Sequence, residues 1–363
     1  MAMSCLRNFK SILPIFVTLC LMLFCAGCEH RKLEELNYYE NYFVKIYFDE
    51  NIRNVSYGFY DESKKRPEYA SPQSMRIVFC DEVTGKAVVE RYLSEYGKDE
   101  RGYYIQGLLS VPFGKYNVLA YNFDTKNTQV KSENDYEMMT ACTTPLGENE
   151  INWIFSSRGE GAEDDEPIYK QPDHLFVAKV EGVEVTASHY KDSPDTLKTA
   201  EGLLPTASTM VNTYYFQFNV KGVEYVRSAV ALVTGMAGSK ILHSGEMVSE
   251  DVASIYFGLN NGKDKRSTAT EETSVAYSTF NTFGKLPHTE GYINITFEIK
   301  TIYNTVQTET IHITDMFETQ QVKENQWIII DKLIEIVPPE GAAAGGLSPG
   351  VNDWEEIESE III

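Results

Sequence analysis

The residue types that carry most enzyme chemistry are all present in this chain, but their spacing does not bring them together. The six histidines are His30, His174, His189, His243, His288 and His312. No two stand four residues apart, the interval that sets a pair of imidazoles on one helix face around zinc. From Cys28 onward no two cysteines have CxxC spacing. No G-x-S-x-G elbow joins a strand to a helix, no Walker loop offers a phosphate cradle, and no G-x-G-x-x-G follows a strand. His312 sits between Ile311 and Ile313 and reads as an ordinary strand histidine. The acidic run GEGAEDDEP, residues 159–167, lacks the alternating carboxylates and late Glu of a calcium loop, so a solvated linker is the reading. Carboxylates are abundant, yet nothing singles out one pair for glycoside hydrolysis. The sequence therefore assigns no catalytic residue, no metal site and no cofactor.

One cysteine does have a definite chemistry. Arg7 and Lys10 precede an apolar run from Ile12 to Phe24, which is short for a membrane span. Small residues Ala26 and Gly27 follow, and then Cys28. The layout is that of a secretory signal, and its end resembles the bacterial lipobox, with Cys25 where leucine is usual. The expectation is removal of residues 1–27 and acylation of Cys28. Several acyl chains on one cysteine hold a protein to a membrane far more firmly than one.

The removed segment contains two basic residues and no acidic one. The rest therefore carries 30 Lys and Arg against 53 Asp and Glu, a formal charge of −23. Such a surface lacks the basic footprint that nucleic acid requires, so no nucleic-acid partner is expected. It also argues against electrostatic adhesion to anionic lipid. Only Cys80 and Cys142 remain as further thiols; an exported chain could pair them, while Cys80, inside the apolar run MRIVFC, reads as a buried free thiol.

The elements that must position any site are strands. In NYFVKIYF the residues Tyr42, Val44, Ile46 and Phe48 share one face. Met75–Cys80 and Ala87–Tyr92 flank a turn at residues 83–85 and read as a hairpin. Pro112 and Gly114 mark a turn between two further strands. Residues 156–173 are polar and acidic, and form the clearest break. More strands follow, with short helical turns expected at Glu201–Leu204 and Asp315–Gln321. The fold class is all-β, with β-sandwiches. Expected domains are 28–160 and 174–338, a linker at 161–173, and a flexible tether with a terminal strand at 339–363. In that last strand Ile357, Ile361 and Ile363 face one way and Glu356, Glu358 and Glu360 the other, with Trp354 just before them. Adjacent tyrosines (Tyr38-Tyr39, Tyr103-Tyr104, Tyr214-Tyr215) should point to opposite sheet faces.

Several segments resemble the Bacteroidales fimbrillin-like lipoproteins: VPFGKYNVLAYNFDTKN at 111–127, VRSAVALVTGMAGSKILHSGE at 226–246, STFNTFG at 278–284, the terminal VNDWEEIESEIII, and the Cys-Glu-His start at Cys28. The resemblance implies two tandem transthyretin-like Greek-key sandwiches, export as an outer-membrane lipoprotein at the cell surface, and a part in adhesion or fimbria-like assembly. It also implies strand addition between like or related subunits. In assembling relatives an arginine-specific protease removes the first strand, and here Arg53 follows strand Tyr42–Phe48. The tail with Trp354, Ile357, Ile361 and Ile363 then has two uses, donation to a neighbour or docking on its own second domain. The alternative reading is a surface lipoprotein that binds host or dietary glycan for a nutrient-uptake complex.

Overall fold

A computed structural model describes residues 39–48, 72–147, 167–185, 206–264, 274–287 and 293–338. The first sandwich faces two sheets against each other. One has the order β1-β5-β4, from β1 (Tyr39–Tyr47), β4 (Glu95–Asp99) and β5 (Gly102–Pro112). The other, β11-β10-β6-β2-β3, uses β2 (Met75–Asp81), β3 (Ala87–Leu93), β6 (Gly114–Asn122), β10 (Phe176–Val185) and β11 (Ser208–Thr209). The expected hairpin is present. Asp81 caps its turn by accepting from the Val83 and Thr84 amides and the Thr84 hydroxyl, the local bonding that makes Asp a turn former. The turn at Pro112–Gly114 carries the chain from one sheet to the other.

The second sandwich repeats the plan. Its sheets are β16-β17-β12-β20 and β19-β18-β13-β15-β9. Their strands are β9 (Ile168–Tyr169), β12 (Asn212–Lys221), β13 (Val226–Ala237), β15 (Val252–Gly258), β16 (Asn260–Lys263), β17 (Ser274–Thr282), β18 (Asn294–Thr301), β19 (Val306–His312) and β20 (Trp327–Glu335). Alternate residues of β12, β15, β17 and β18 drive phenylalanines into one core, with Phe218 and Phe297 stacked at 4.4 Å and Phe257 and Phe280 at 4.8 Å. A 3₁₀ turn at Thr314–Glu318 and helix α1 (Gln320–Asn325) fill the expected helical position. Thr319 caps α1 and Gln326 ends it in the left-handed region at φ 58°.

The two sandwiches share structure. A small sheet, β14-β8-β7, pairs β7 (Thr128–Lys131) and β8 (Thr140–Thr143) with β14 (Ser239–Ile241) of the second half. Beneath it Val78, Cys80, Leu119 and Tyr121 pack in one cluster with Ala237, Leu242, Phe283 and Leu286. This explains the unbroken apolar run of β2. Met75, Ile77 and Phe79 fill the first core, while Val78 and Cys80 fill the shared one. A strand buried on both faces has no polar alternation.

One strand lies elsewhere than the sequence suggests. Residues 174–185, expected at the start of the 174–338 domain, supply β10, which pairs antiparallel with β6 in the first sandwich. The acidic break draws attention because composition marks exposure. It carries no information on which strands pair across it. The expected linker is also held firmly over its described part: the Asn127 and Thr128 amides donate to Asp173, and Asn281 donates to the carbonyl of Pro172. The expected helical turn at Glu201–Leu204 lies outside the described residues.

Candidate functional site

The strongest candidate is the seat of β1, the strand that follows the expected lipid attachment. Its inward residues Val44, Ile46 and Phe48 are buried with Ile105, Leu109 and Val111 of β5, and Phe48 meets Phe176 edge-on at 5.6 Å. Three such side chains contribute about 5–9 kcal/mol by burial. The backbone pairs antiparallel with β5 along all nine residues, Tyr39 opposite Pro112 through Tyr47 opposite Tyr104. At its end the Phe48 amide donates to the Tyr103 carbonyl at 3.1 Å, and the Ala207 amide donates to the Tyr47 carbonyl at 2.7 Å.

The outer face adds a clamp. Asp99 on β4 accepts from Lys45 Nζ at 3.0 Å and from the Tyr47 hydroxyl at 2.8 Å, while the Arg101 amide donates to its other oxygen at 2.9 Å. β1 and β4 are thus tied across β5. Tyr104 lies over Gly97, where a Cβ would stand 2.5 Å from the ring, and Lys45 Nζ sits 3.8 Å from the Tyr104 centroid. Arg101 lies 4.4 Å from the Tyr47 ring, a second cation–π contact. The Lys45 hydrogen bond, followed by that from Tyr47, holds the Asp99 carboxyl below its ordinary range. For Lys45, burial is the largest influence and favours the neutral form, but the bond to Asp99 together with the charges of Tyr47, Asp99 and Tyr104 outweighs it and the pKa rises. The chemistry of this site is retention of an extended segment.

At the other end, β20 is the edge strand of its sheet and runs parallel to β12. Lys332 bonds to Glu309 on β19, the Gln307 side chain donates to the Glu335 carbonyl at 3.2 Å, and Lys221 meets Glu335 at 2.6 Å. Just beyond it begin residues 339–363.

The sequence-named site residues Cys28, Arg53, Trp354, Ile357, Ile361 and Ile363 lie outside the described residues. Among the described residues, no three His, Cys, Asp or Glu side chains gather as for a metal ion, and no helix is long and apolar enough to cross a membrane. The described histidines stand apart. His312 is exposed beside Asn294 at 3.0 Å, His243 faces Glu137 at 3.1 Å, and His174 bridges the hydroxyls of Thr209 and Thr213 at 3.0 and 3.2 Å. Cys80 and Cys142 are buried free thiols. Tyr103 and Tyr104 part as expected, Tyr103 toward the core and Tyr104 outward. Sequence reading missed β4 and Asp99. EYGKD has charges at both ends and glycine in the middle, so it carries no strand signal of its own.

Two largely antiparallel β-sandwiches in tandem, with β1 seated in the first, make this an all-β protein. The chain belongs to the family described as Domain of unknown function (DUF5119), whose pattern matches residues 27–258. A Bacteroides ovatus protein named "Putative fimbrium anchoring subunit Fim4B" is 24% identical over 307 residues, spanning 78% of this chain and 82% of that one. A crystal structure of "a putative adhesin" from Bacteroides ovatus has the same fold, with a TM-score of 0.51 at 22% identity over 86% of this chain and 98% of its own. The fimbrial anchor protein Mfa2 from Porphyromonas gingivalis gives a TM-score of 0.43 at 12% identity, covering 82% and 92%.

Proposed function

We propose that this protein is a surface lipoprotein of a fimbrial assembly and works at its anchoring end. The observation that carries the reading is the seat of β1. A subunit that accepts a neighbour's strand must give up its own first strand. One whose first strand is paired, buried and clamped keeps it, and with it the acylated Cys28. The similarity to a protein named as a fimbrium anchoring subunit supports the same role. In this reading the outer membrane is engaged through lipid, and Arg53 stays uncut. Related fimbrial subunits attach by strand addition, with Trp354, Ile357, Ile361 and Ile363 as the strand offered, or as a strand kept by the second sandwich. The chain visits the second unit at β9, returns for β10 and β11, and passes into it for good between Thr209 and Asn212. A second reading, a glycan-binding surface protein, draws on one exposed aromatic pair, Tyr92 and Phe123.

The test treats the chain from Cys28 onward, without acyl groups, with an arginine-specific protease. Mass and oligomeric state are followed, in parallel with a form ending at Gly350. Retention of residues up to Phe48 and no self-polymerisation support the anchoring role. Loss of the first strand, followed by polymers that vanish in the shortened form, would make it a shaft subunit instead.

A further inference from the structure

We propose that the first sandwich carries a binding site for a neutral pyranose sugar, built from the Tyr92–Phe123 pair and the adjacent cavity at residues 130–138. This rests on the glycan-binding reading and leaves the anchoring role independent of it. Tyr92 on β3 and Phe123 after β6 are 57% and 44% exposed, yet their rings meet at 4.8 Å and 60°. They present an apolar surface fixed in orientation, the feature that the C–H face of a sugar ring requires.

The polar half of the site stands directly beside them. Arg76, with a side chain 10% exposed, lies 5.8 Å from the Tyr92 ring. It pairs with Glu90 at 2.6 Å and with Glu133. The Tyr92 hydroxyl donates to Glu90 at 2.9 Å and that of Tyr121 to Glu133 at 3.1 Å. Buried Arg76 Nε–H finds no acceptor, an unmet donor in this cluster. Glu133 in turn lines an open cavity of about 400 Å³, together with Val130, Ser132, Asn134, Asp135 and Met138. That volume is within the range of small-molecule sites.

The charge balance selects the ligand class. Glu90 and Glu133 share the arginine, and Asp135 pairs with Lys86 at 2.7 Å. One arginine offsets only one of the two glutamates, so the lining keeps a net negative charge that repels an anion, and among the described residues no three His, Cys, Asp or Glu side chains gather to hold a metal cation. What remains is a set of hydroxyl and amide groups and carboxylate lone pairs, next to an apolar face. That combination suits uncharged hydroxyl groups on a ring with one apolar face.

The experiment is saturation-transfer NMR on the chain from Cys28 onward. The probes are free glucose, galactose, mannose and N-acetylglucosamine, with N-acetylneuraminic acid as the anionic control. Binding of at least one neutral sugar is expected, weakened roughly tenfold in Tyr92→Ala/Phe123→Ala. Asn134→Ala should also weaken it, and the anionic control should give no signal. Both aromatic side chains lie at the surface, outside the cores, so the double variant should stay folded, which is checked by calorimetry. If neutral sugars bind the folded double variant and Asn134→Ala as well as the wild type, the site is elsewhere and only the general glycan reading stands. If no neutral sugar transfers saturation, the site and the glycan reading fall together. Preference for the anionic sugar overturns the assignment of ligand class.

Discussion

Asp99 shows how much one exposed carboxylate does by position. It is the only described side chain hydrogen-bonded to both Lys45 and Tyr47 of the first strand. Asp99→Ala should leave the fold intact and raise amide exchange across Val44–Phe48 by roughly three- to tenfold, measured by mass spectrometry. Because the folded carboxyl titrates below its ordinary value, its contribution is present above about pH 4 and is lost as pH falls through the folded pKa. His174 acts in a higher pH window. Burial lowers its pKa from 6.5 to about 4, with Asp173 opposing. The fold favours neutral imidazole, so its stabilisation is complete above 6.5 and decays as pH falls toward 4. Between pH 7 and 4.5 wild type should lose about 2 kcal/mol that His174→Gln does not lose, read from denaturation midpoints.

At the scale of elements, β1 is the piece on which the functional reading depends. Ile46 is fully buried in the first core. Ile46→Ala should cost about 2–5 kcal/mol and loosen β1 ahead of the second sandwich, seen as early exchange of residues 44–48. This element was legible in the sequence, since Val44, Ile46 and Phe48 alternate with polar positions. The β2–β3 hairpin was legible for the same reason, helped by its turn residues. β4 was not, because its place comes from pairing with β5 and from the Tyr104 ring covering Gly97. Asp99 stayed hidden with it, since a clamp across a three-stranded sheet joins residues 52 and 54 positions apart. The placement of β10 was beyond local reading as well. Its alternating pattern fits either sandwich, and only the partner strand decides.

For the whole molecule the shared core matters most. Phe283 of the second half is buried against side chains of the first. Phe283→Ala should therefore destabilise both sandwiches, by about 3–5 kcal/mol. Calorimetry should show one transition in the wild type, and a single lower one in the variant rather than two separated steps. Two separate transitions in the wild type would mean that the shared cluster does not couple the halves. The nine-residue register of β1 on β5 has a mechanical consequence. Antiparallel hydrogen bonds lie across the strand axis. A pull applied at the Tyr39 end along that axis strains the bonds in shear, all together. Peeling them one at a time would need a pull sideways, and the tie to Asp99 stiffens the sheet in that direction. In the anchoring role proposed above, a strand fastened this way would pass drag on to the lipid without unravelling the domain between them.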